Sequence, residues 1–86
     1  MLEKLISEGE ALKGQMRESM GLRIITGVPF ETWLSKSILF MERDYADSSL
    51  TQKAVTASNS KTQNNSGQVY NFVLGTLIAF KEFGEE

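Results

Sequence analysis

Apolar residues recur at helical spacing along most of the chain. Leu2, Leu5, Ile6, Gly9, Leu12, Met16 and Met20 lie three or four residues apart. They predict a first helix from about Leu2 to Met20, stopped by Gly21. Lys4 and Glu8, four apart, fit a surface ion pair on it. Gly9 and Gly14 each cost about 1 kcal/mol of helix propensity. Gly9 sits on the apolar face, where close packing of another helix accounts for it. Leu22 to Val28 reads differently: Leu22, Ile24, Ile25 and Thr26 favour extended backbone, and Gly27 turns the chain. A two-stranded ribbon alone is marginal, and in an oligomer this segment is placed to pair with its own copy.

A second helix is predicted from about Pro29 to Tyr45, with Pro29 at its first position and Glu31 in its first turn. Phe30, Trp33, Leu34, Ser37, Ile38, Met41 and Tyr45 form its inward face, broadened by Leu39 and Phe40, while Lys36 and Arg43 point elsewhere. A short third helix is expected over about Leu50 to Ser58, with Ser49 and Gln52 at capping-box spacing. The polar stretch Ser58 to Gly67 reads as a solvent loop. The last helix follows, from Ser66 or Gly67 to Phe83. From Val69 to Phe80, nine of its twelve residues are apolar, and they cover a broad arc. Phe72, Ala79 and Phe83 add a ridge that leaves only a narrow polar strip at Asn71, Gly75 and Glu82. Such a helix is either the centre of the fold or meets another chain along one ridge. Together the patterns predict one all-α domain over residues 1–86: a small four-helix bundle-like fold with one short helix and an extended segment at about 22–28.

Composition narrows the chemistry. The 86 residues include no histidine and no cysteine. That removes histidine-based nucleophilic catalysis and the ligands structural zinc needs. A domain this small buries roughly 60–65% of its unfolded surface. With disulfides and zinc absent, self-association is the remaining common device for stability, and a homo-oligomer is expected. The net charge of −2 lacks the basic footprint of a nucleic-acid binder. No apolar run approaches the roughly 20 residues that span a bilayer. The opening MLEKLISEGE carries acids where a secretion signal needs bases. The expectation is a cytoplasmic protein with no cofactor and no metal, and not an enzyme. The carboxylate pairs Glu8/Glu10 and Asp44/Asp47 are the remaining catalytic candidates. The first pair diverges on a helix, and the second sits where it can cap the next helix.

Anion binding has a richer inventory. Asn64 and Asn65 lead through Ser66 and Gly67 into a helix start, where backbone N–H groups attract phosphate, and Lys61 lies nearby. The plain alternative is an ordinary cap on a polar loop. Arg17 and Arg23, close to a chain bend, have the chemistry to clamp a phosphate or carboxylate, or to pair with surface acids. Tyr45, at a helix end, is the aromatic best placed to stack on a base. Trp33 and Tyr70 lie on apolar faces, where core packing is the plainer role. The candidate ligand residues are therefore Arg17, Arg23, Tyr45, Lys61, Asn64 and Asn65, and the candidate oligomer interface is Phe72, Ala79 and Phe83.

Four stretches carry a resemblance: LISEGEAL, FETWLSKSILFMERDY, SSLTQKA and VLGTLIAFKEF. Together they resemble a small helical domain of uncharacterised bacterial and phage proteins that accompanies effectors of antiviral defence. The shared positions are core ones: Trp33, Leu34, Tyr45, Leu50, Leu74, Leu77 and Phe83. In size and context the chain is also similar to the small oligomeric proteins with which some phages sequester immune nucleotide signals. The resemblance implies a phage anti-defence protein in the host cytoplasm that captures a cyclic nucleotide or ADP-ribose-type signal. The residues alone fit equally an interaction or oligomerisation module that docks a partner protein through the apolar ridge.

Overall fold

The structure, a computed structural model, describes residues 1–84. Helix α1 spans Leu2–Ala11 and runs into a 3₁₀ turn at Leu12–Gln15. Strands β1 (Arg17–Ser19) and β2 (Leu22–Ile24) follow, then helices α2 (Val28–Asp44), α3 (Ser49–Asn59) and α4 (Ser66–Gly84). The molecule is mostly helical but not all-α.

The first helix is shorter than its apolar spacing predicts. The α-helix ends at Ala11, and the chain is extended by Met16, at φ −72° and ψ 139°. Residues 17–19 are spent on an antiparallel hairpin that pairs Arg17 with Ile24, Glu18 with Arg23 and Ser19 with Leu22. Both turn residues have positive φ, Met20 at 52° and Gly21 at 81°, as a two-residue type I′ connection requires. Gly21 thus belongs to a hairpin tip and does not stop a helix. Met20, placed by its spacing on the apolar face, is 99% exposed. The extended segment finds its partner in its own chain, not in a copy.

Local chemistry explains the other boundaries. Gly27, at φ 111°, turns the chain into α2, and its carbonyl accepts from the Glu31 amide at 3.1 Å. Ser48, one residue earlier than the capping-box spacing suggests, caps α3 by accepting from the Leu50 amide at 3.2 Å. The polar loop is not wholly solvated, because Ser66 and Gly67 are buried. The Ile25 amide donates to Ser66 Oγ at 3.0 Å, and that hydroxyl donates to the Gln63 carbonyl at 2.8 Å. A Cβ on Gly67 would come within 2.4 Å of the Arg23 carbonyl oxygen, so the bare glycine is what lets β2 lie on the start of α4.

Helix α4 is the centre of the fold and packs against α1, α2, α3 and β2. Phe30, Trp33 and Tyr70 form an aromatic cluster in the core, with ring centroids 5.5–6.4 Å apart. Gly9 presents a bare Cα to this cluster. A Cβ there would lie 2.7 Å from Trp33 Cζ2 and 3.0 Å from Leu74 Cδ1. Trp33 Nε1–H donates to the Leu5 carbonyl at 2.8 Å, and the Tyr70 hydroxyl donates to the Gly9 carbonyl at 2.7 Å. The second bond adds a side-chain donor to a carbonyl in the last turn of α1 that the Leu12 amide also reaches. Two further readings change. Leu39 is 67% exposed and adds nothing to the core. Glu8 pairs with Lys36 of α2 at 2.9 Å, and not with Lys4.

Gly9→Ala gains helix propensity but drives a methyl into the indole. Urea unfolding should show a net loss of about 2 kcal/mol. Met20→Asn relieves a left-handed backbone that methionine adopts at a cost, and should raise stability by about 0.5–1 kcal/mol.

Candidate functional site

The six candidate anion-binding residues do not form one site. Arg17 and Arg23 sit on adjacent cross-strand pairs. Strand alternation places their side chains on opposite faces of the ribbon, so the two do not form a shared clamp. Arg17 Nη1 donates to Thr26 Oγ1 at 3.5 Å, and Glu18 stands directly opposite Arg23. Lys61 is drawn to α2: its ammonium lies 2.8 Å from Glu31 Oε2 and 5.8 Å from the centroid of the Phe30 ring.

Asn65 is occupied in bracing its own loop. It accepts from the Thr62 amide at 2.7 Å, and its side-chain amide donates to the Ser60 carbonyl at 3.1 Å. Asn64 is exposed beside it, and Arg23, Lys61, Asn64 and Asn65 share the region around the start of α4. That start is itself covered, with Ser66 and Gly67 buried under β2.

Tyr45 is remote from all of these. It follows the last turn of α2, fourteen residues beyond the Glu31 that holds Lys61, which is about 21 Å along the helix. One face of its ring is stacked on Phe80, with centroids 4.0 Å apart and planes 2° from parallel. The Asp44 carboxyl is held below its usual range, first by its hydrogen bond with Arg43, at 2.8 Å. The shift favours the ionised carboxylate that pairs with Arg43. Trp33 and Tyr70 are core residues, as their apolar faces indicate.

The surface that does assemble lies along α4. Its exposed strip comprises Gln68, Asn71, Gly75, Ala79, Glu82 and Phe83, bordered by half-buried Phe72. Phe72 packs against the core, while Phe83 stands 81% exposed. An open hollow of about 510 Å³ lies beside Phe72, floored by Ala57 and Thr56 of α3. A second groove, of about 500 Å³, lies at the carboxy-terminal end of the strip. Tyr45, Leu50, Ala79, Phe80 and Phe83 line it, and among the described residues none of its walls is an ionised side chain. The sequence pattern marks the ridge but not the hollows, because these depend on how α3 leans on α4.

No protein-family model matches the chain, nor does any curated protein or any solved structure. Among the described residues, no helix is long and apolar enough to cross a membrane.

Burial, with a smaller effect from Glu10, raises the Tyr70 hydroxyl above its usual value near 10. A folded-state value above the unfolded one gives stability that is complete below the unfolded pKa and lost as pH rises through the folded one. Denaturant midpoints should therefore fall above about pH 10, and Tyr70→Phe should flatten that alkaline slope while lowering stability at pH 7.

Proposed function

We propose that the protein is a non-catalytic binding module that docks a helical protein surface through the exposed strip of α4. The observation that carries this reading is the apolar-walled groove at Tyr45, Leu50 and Ala79, with Phe83 exposed at its edge. A phenylalanine held in water beside an apolar hollow loses roughly 1.5–3 kcal/mol relative to burial, and a docked apolar surface recovers it. Two open hollows on one elongated face suit a polypeptide better than a compact polar ligand.

Capture of a cyclic nucleotide or ADP-ribose-type signal has less support. The base-stacking candidate, Tyr45, and the cationic candidate, Lys61, lie at opposite ends of α2. On the resemblance to defence-associated helical domains, the docked surface belongs to the assembly of such a system.

A photo-cross-linking residue, p-benzoylphenylalanine, introduced at position 83 tests the proposal in cells. Lys13 serves as the control site: it is exposed at the opposite end of the molecule, because α1 and α4 run antiparallel, with Glu3 by Lys81 and Gly9 by Tyr70. Position 83 should yield a discrete cross-linked protein band and position 13 none. Equal or absent cross-linking at both positions would overturn the reading.

A further inference from the structure

The exposed strip contains a glycine that the folded chain does not need. Gly75 lies in the interior of α4, where glycine costs about 1 kcal/mol relative to alanine. Beyond its own stretch of helix, a Cβ at Gly75 would meet no atom of the described residues within 4 Å, so no neighbouring element among them excludes a side chain. This is unlike Gly9 and Gly67, whose bare Cα atoms are each required by a neighbour. One turn on, Ala79 is also small and exposed. Two such residues in succession let a second helix backbone approach closely.

The residues around them repeat in reverse about Leu77. Gly75 and Ala79 lie two residues to either side of it, and Phe72 and Phe83 lie five and six. At 100° per residue, all four fall within one stripe of about 80°. Turned end for end, this strip sets small against small at its centre and each Phe83 beside the Phe72 end, a pairing that a two-fold interface makes twice over.

We infer that the partner of this strip is a second copy of the chain, with the two α4 helices crossing antiparallel at Gly75 and Ala79. The inference rests on the docking reading above and names its occupant. In this arrangement the exposed Phe83 of each protomer faces the Phe72 end of the other, where the 510 Å³ hollow between α3 and α4 is open to receive it. Charge agrees with the placement. Lys53 borders that hollow, and Glu82 stands beside Phe83, so each Glu82 approaches the other protomer's Lys53. Among the described residues neither has an ion-pair partner. The two Glu82 side chains lie at opposite ends of the interface and do not repel one another.

Sedimentation equilibrium of the full chain from about 1 µM to about 1 mM should show a monomer–dimer equilibrium. Gly75→Leu should raise the dissociation constant at least about 30-fold, the scale of losing an interface hot spot. It should leave the dilute monomer as thermally stable as the parent or more so. Lys53→Glu and Glu82→Lys should each weaken the dimer, and the double reversal should restore it. A chain that stays monomeric throughout, or a dimer indifferent to Gly75→Leu, would overturn the inference. Failure of the double reversal to restore association would overturn the antiparallel arrangement, even if Gly75→Leu misfolds. A monomer whose position 83 still cross-links to a different protein removes the second copy as occupant but keeps the docking reading. A monomer with no site-specific cross-link removes both.

Discussion

The fold depends on the close approach of Trp33 to α1 at Gly9. Any side chain at position 9 would lift the indole off the helix. With only hydrogen there, the ring lies against the backbone and its N–H reaches the Leu5 carbonyl. Tyr70, from the other end of the sequence, reaches the Gly9 carbonyl. Two side-chain donors thus fasten a ten-residue helix that is too short to be stable in water alone. They also give buried polar atoms of α2 and α4 their partners, which burial makes obligatory. One missing methyl group therefore joins three helices.

This organisation was legible where the pattern was long and periodic. The second and fourth helices follow from their apolar spacing to within a residue or two, and so do the core roles of Trp33 and Tyr70. The close-packing role of Gly9 was legible as well, because a glycine on an apolar helical face has few other uses. The hairpin was hidden. Met16 and Met20 continue the helical spacing, and Met-Gly lacks the asparagine or aspartate that usually announces a type I′ turn. The 3₁₀ turn and the strand prevail because Ile24 and Ile25 bury against the bundle only when β2 is held on the start of α4. That is a tertiary gain no local window contains.

The site divides in the same way. The ridge of Phe72, Ala79 and Phe83 is a one-helix feature, and the sequence shows it. The anion-binding set is a composite of four separate segments, and its geometry depends on strand alternation and on the length of α2. Two residues that suggest ligand chemistry turn out to be engaged at home, Asn65 with its loop and Lys61 with Glu31 and Phe30. Gly75 carried its signal only once the space around it was known, since a helical glycine is informative when the folded chain gives it no neighbour to avoid.

The Ser66 hydroxyl has a wider consequence than capping. It accepts from residue 25 and donates to residue 63, so one oxygen rivets the hairpin, the polar loop and the first turn of α4. The hairpin is thereby no independent appendage: displacing it strands a buried amide and slackens the loop at a single stroke. The placement of the hairpin and the seating of the central rod are governed by the same atom.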